Sequence, residues 1–162
     1  MIVKRWLRLG SKAVHDIASI AFGGGLAACL VVNVTANRVS VSEFAASREL
    51  FAAIAQYVLT PSMAVVVVSG LIAMAATRGY QDAGWAWLKA LLGVSVFAGT
   101  LRLVGSSPKH AEMVAALSDL REPSVLDALL RSERNMLWVL IALCAVNVLL
   151  AVWRPRMSIK VS

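Results

Sequence analysis

Two long stretches of this chain carry no charged side chain at all: Ile17 to Asn37 and Phe51 to Thr77. Each meets the roughly 20 residues that a helix needs to cross about 30 Å of hydrocarbon. A bilayer accepts such runs as helices because a helix closes its own backbone hydrogen bonds. A third block, Ala83 to Pro108, is interrupted by Lys89 and Arg102, and a fourth runs from Met136 to Trp153. The residues between Lys89 and Arg102 make only about 18 Å of helix. Both charges are therefore expected to snorkel towards opposite interfaces or to find partners. Composition agrees: 59% of the chain is hydrophobic and 15% charged, against about 45–50% and about 25% in soluble domains. These patterns predict an all-α, four-helix transmembrane bundle forming a single domain over 1–162, with spans at about 14–36, 52–77, 84–105 and 136–154.

The net charge of +7 clusters beside the apolar blocks, with no basic stripe interleaved with aromatics. The expected partner is therefore the lipid bilayer, not nucleic acid. Four spans put both termini on one side, with Lys4, Arg5, Arg8, Lys12, Arg78, Arg154, Arg156 and Lys160. The opposite side holds Arg38, Arg48, Lys109, Arg121, Arg131 and Arg134 among seven acidic residues. Counting only the positives gives N-in, C-in in a bacterial cytoplasmic (inner) membrane. Trp6, Trp85, Trp87 and Trp153 then fall near the inner interface and Trp138 near the outer one. The basic start and Leu26-Ala27-Ala28-Cys29 resemble a cleaved leader. However, His15 and Asp16 interrupt it, and the apolar run continues to Val34, so the segment is expected to stay as a span. Cys29 and Cys144 lie deep in apolar blocks and read as buried hydrophobes.

The outer loop between spans three and four, about 106–135, has helical periodicity. HAEMVAALSDL places Met113, Ala116, Leu117 and Leu120 on one face, and SVLDALLRSE repeats the pattern after Pro123, with Ser124 as N-cap. Either two short amphipathic helices, or an extension of the third span followed by one, would lie on the bilayer, cap the bundle or contact a partner. His110, Glu112 and Met113 form a small cluster that reads as a solvated loop.

On a helical wheel His15, Ser19, Phe22, Leu26, Cys29 and Asn33 share one stripe of the first span, which should face the bundle. Gly23, Gly24 and Gly25 read as a close helix contact, as does Gly70 beside Ser69. Thr60-Pro61-Ser62 predicts a kink. His15, Asp16, Lys89 and Asn147 fall at similar depth near the inner end and suggest a polar clasp built on an Asp16–Lys89 ion pair. The alternative is a cofactor or metal site with His15 as ligand to haem b or copper, or as proton carrier. A homodimer could hold haem between two copies of His15. The chain has no phosphate-binding glycine loop, Ser-His-Asp constellation or HExxH, so no enzymatic activity is expected.

His15 followed by Phe22-Gly23-Gly24-Gly25 resembles the opening span of the bacterial copper-resistance-D-like (CopD-like) membrane proteins and their small relatives. VVSGLIAMA (67–75), GWAWLKALLG (84–93) and AVWRPR (151–156) resemble later segments of that family, in order. The resemblance implies a four-helix membrane bundle and, for the larger members, copper handling. The function expected from all of this is association, as an accessory subunit of a membrane complex or as a homo-oligomer. A haem- or copper-handling protein using His15 is the alternative, and a small-solute or proton transporter is the weaker one.

Overall fold

The computed structural model describes residues 2–76, 83–105, 107–118 and 123–153. Within them the secondary structure is helical: α1 (Ile2–Thr35), α2 (Val41–Ile54), a π-helical turn (Ala55–Leu59), α3 (Thr60–Ala76), α4 (Gly84–Val104), α5 (Ser107–Ser118) and α6 (Pro123–Trp153). Four helical stretches are long and apolar enough to cross a membrane: Leu9–Thr35, Val41–Ala76, Gly84–Val104 and Ser124–Trp153. Arg78, Leu120, Arg121, Arg154, Arg156 and Lys160 lie outside the described residues.

Helix α1 packs on α3 and α6, and α4 closes the ring against the same two helices. The core between them is built from Phe22, Leu26, Cys29, Leu59, Val96, Leu137 and Leu140. The outside is equally apolar: Ile17, Ile20, Val31, Leu71, Leu91, Val139 and Leu149 are all exposed. A soluble protein rarely leaves so continuous an apolar surface uncovered, whereas a bilayer solvates it.

Three helices are longer than their hydrophobic stretches predict. Helix α1 begins at Ile2, so its basic first turns continue the span instead of preceding it. Its 34 residues extend about 51 Å, well beyond a hydrocarbon core. Helix α2 begins at Val41, ten residues before the charge-free run. Ser40 caps it, accepting the Glu43 amide at 3.4 Å, and Asn37 accepts from the Val39 amide at 2.9 Å in the preceding turn. Glu43 three residues after the cap suits the positive end of the helix. The segment expected as a second amphipathic helix, SVLDALLRSE, is instead the first turns of α6. That helix starts at Pro123, where the missing amide costs nothing and φ is already helical; Ser124 therefore lies inside it.

The kink expected at Thr60-Pro61-Ser62 takes the form of the π-turn. Pro61 offers no amide to the carbonyl one turn back, and its ring crowds that turn. The helix widens: the Thr60 backbone N–H reaches Ala55 O, and Thr60 Oγ1 donates to the same carbonyl at 2.9 Å. The widened turn brings Leu59 against α1 at Gly25. A Cβ on Gly25 would stand 2.6 Å from Leu59 Cδ2 and 3.3 Å from Val58 Cγ1.

Beyond the spanning core lies a second, smaller one. Phe44 of α2, Met113 of α5, and Leu126 and Leu130 of α6 bury one another there. Helix α5 therefore caps this end of the bundle, and a layer of polar side chains separates the two cores.

Candidate functional site

That layer is the most developed polar arrangement among the described residues. Glu133 on α6 stands at its centre, 7% exposed. Its Oε2 accepts from Arg48 Nη1 of α2 at 2.8 Å and from Asn33 Nδ2 of α1 at 2.6 Å. Its Oε1 meets His110 Nε2 of α5 at 3.0 Å. As a carboxylate Glu133 can only accept, so His110 Nε2 carries the hydrogen of this contact. Four helices are thereby joined through one side chain. Asn33 and His110 are also nearly inaccessible, and Arg48 is 2% exposed.

The sequence holds Arg48 in place locally. Phe44 and Phe51 lie one turn to either side on the same face of α2. The Arg48 guanidinium carbon is 5.3 Å from one ring centroid and 5.4 Å from the other, within cation–π range. Phe51 also meets the His110 ring edge-on, with centroids 5.4 Å apart. Arg48 Nη2 adds a contact to Val32 O at 3.4 Å. Arg48 Nε and Asn33 Oδ1 are buried without a partner among the described residues. A buried ion pair is tolerated where hydrogen bonds complete its partners, and here three donors converge on one carboxylate. Arg38 in the α1–α2 turn binds Asp127 of α6 at 2.5 Å nearby, but both side chains are about half exposed.

His110 and Met113, read from the sequence as part of a solvated loop, are instead buried, at 9% and 2%. Helix α5 docks through them, while Glu112 stays exposed.

At the opposite end His15 Nδ1 lies 2.7 Å from Ser69 Oγ. The Ser69 hydroxyl also lies 2.6 Å from Val65 O and 3.1 Å from Val66 O. With its hydrogen on Nδ1 the histidine donates to Ser69 and Nε2 keeps a lone pair; with its hydrogen on Nε2 the serine donates to Nδ1. Gly70 is adjacent, where a Cβ would be 3.8 Å from His15 Cε1. Asp16 is exposed and Lys89 half-buried; the ion pairs among the described residues do not include one between them. Asn147 of α6 faces Gly93 of α4, with its Oδ1 buried and unpartnered among the described residues.

The three glycines of α1 divide. Gly25 packs on Leu59, while a Cβ on Gly23 or Gly24 would meet nothing within 4 Å. Those two, with Ala27, lie on the exposed face of the helix. No three His, Cys, Asp or Glu side chains among the described residues converge as a metal site. Cys29 and Cys144 are free thiols.

The sequence reading missed the Arg48–Glu133–His110–Asn33 layer. Its signal was there in α2, where an arginine shares one helical face with two phenylalanines at positions 44, 48 and 51. No protein-family model, no curated protein and no solved structure matches this chain.

Proposed function

We propose that this chain is a non-enzymatic, multi-pass membrane protein that acts by association, as an accessory subunit of a membrane complex or as a homo-oligomer. In this reading it lies N-in and C-in in a bacterial inner membrane, with α5 as the helix of the outer loop. The observation that carries it is the exposed Gly23-xxx-Ala27 pair of α1. Small residues four apart on a membrane helix let a second helix approach its backbone closely, and packing of this kind drives helix association. A Cβ on Gly23 or Gly24 would meet nothing within 4 Å among the described residues, which leaves this face of α1 open to a second helix. Exposed Trp6, Trp87 and Trp153 at one end and Trp138 towards the other suit interfacial belts.

Native mass spectrometry of protein gently extracted from its own membrane tests the reading. Wild type is expected as a complex, and Gly23→Leu with Ala27→Leu is expected to dissociate it without loss of thermal stability. A wild type that extracts as a monomer, or a variant that assembles equally well, would reject it.

A second reading, haem or copper ligation by His15, draws support from the hydrogen bond between His15 Nδ1 and Ser69 Oγ, which leaves Nε2 for a ligand when the histidine is the donor. Metal-ligating histidines usually donate their other nitrogen in this way. The resemblance to copper-resistance-D-like proteins points the same way. A Soret band or stoichiometric copper that disappears in His15→Ala would favour it. Proton or solute transport draws less support, because Leu26, Leu59, Val96, Leu137 and Leu140 fill the space between the two polar ends.

A further inference from the structure

Helices α2 and α5 do not meet along their whole length. Between them runs an open groove of about 440 Å³, walled by Ala45, Ala52, Ala111 and Ala115, with Arg48, Glu49 and His110 also lining it. That volume falls within the usual range for small-ligand sites, about 300–1,000 Å³. The groove lies where the charged half of the long α2–α3 helix gives way to its charge-free half, between Glu49 and Leu50. In a spanning helix this is headgroup depth.

Three polar groups differ in what they require. Arg48 is 2% exposed, and its Nε–H is a donor without an acceptor among the described residues. His110 lines the groove with its Nε2 engaged by Glu133. Glu49, exposed at the rim, accepts and carries a negative charge. A ligand that matches Arg48 and Glu49 brings an anionic acceptor for the first and a cationic N–H donor for the second. We propose that this groove binds the headgroup of a zwitterionic phospholipid with a primary ammonium, the phosphoethanolamine type. The phosphate would lie towards Arg48, the ammonium at Glu49, and the acyl chains would run into the bilayer. A phosphoglycerol headgroup lacks the cation, and a phosphocholine headgroup lacks the N–H. The inference uses the membrane-crossing bundle but not its association with a partner.

The test is lipid retention measured by native mass spectrometry after exchange into mixed micelles holding equal phosphatidylethanolamine, phosphatidylglycerol and phosphatidylcholine. Wild type should retain phosphatidylethanolamine preferentially, by up to about fivefold for one carboxylate–ammonium contact. Glu49→Gln should bring the ratio to about one, the value expected when that contact is lost. Ala111→Leu with Ala115→Leu, both exposed positions, should remove the bound lipid while circular dichroism and melting stay as in wild type. Equal retention of the three lipids by wild type, an unchanged ratio in Glu49→Gln, or unchanged binding in the filled groove would overturn the proposal. So would free phosphoethanolamine binding as tightly as the lipid.

Discussion

Replacing Glu133 with leucine strands three donors at once. Arg48, 2% exposed, keeps its charge and loses its carboxylate partner Glu133, while Asn33 and His110 lose that acceptor. Removing one member of a buried ion pair costs about 3–5 kcal/mol, and each donor left unsatisfied adds about 1–3 kcal/mol. Asn33 retains a weak contact to Leu130 O at 3.4 Å, which puts its share at the low end. The single variant should therefore lose about 5 kcal/mol or more. Arg48→Met alone leaves Glu133 with two of its three donors, so its loss should lie nearer about 3 kcal/mol. The double variant Arg48→Met/Glu133→Leu removes the charge with its partner, and apolar side chains fit beside Phe44 and Phe51. It should lose less than the sum of the singles by at least about 2 kcal/mol. The assay is reversible unfolding in mixed micelles followed by far-UV circular dichroism, read as a double-mutant cycle. Additivity within about 0.5 kcal/mol would show that the two side chains do not depend on each other and refute the reasoning.

The exposed pair serves as a contrast: Arg38→Ala should change stability by no more than about 1 kcal/mol in the same assay, because both partners are about half solvated. Gly25→Ala places a methyl 2.6 Å from the fully buried Leu59 side chain and should cost about 1–3 kcal/mol, while Gly23→Ala should leave the melting temperature unchanged. Gly99→Ala, 2.8 Å from Leu140 Cδ2, should behave like the Gly25 variant. His110→Phe keeps an aromatic edge against Phe51 but loses the bond to Glu133; amide exchange should accelerate in 107–118 and not in the spanning core. Equal exchange in both regions would show that His110 does not hold α5.

The spans were legible because hydropathy acts over whole turns: two charge-free runs each long enough to cross a bilayer leave few other folds. The helix ends were less legible. Hydropathy does not register where an amphipathic turn joins a span, so α1, α2 and α6 reach further into polar sequence than their apolar cores. The polar layer was hidden for a different reason. Glu133 lies 85 residues from Arg48 and 100 from Asn33, and His110 sits in a segment whose polarity resembles a solvated loop. Only the docking of α5 turns that histidine inward. At the other end, His15 meets a serine instead of the charged groups at similar depth. Depth along a helix can be counted from sequence, but rotation about the helix axis, which selects the neighbour, depends on packing.

The distance in sequence between Glu133 and its partners bears on how the chain is made. Asn33 and Arg48 leave the ribosome well before the carboxylate that both require. Until the last helix arrives, the first hairpin carries an arginine between two phenylalanines with no counter-ion. The final span is therefore the closing piece of assembly. Once it is seated, the early segments become committed to one arrangement, and a chain that loses it retains an uncompensated charge at the membrane edge, a mark by which surveillance proteases could recognise an incomplete product.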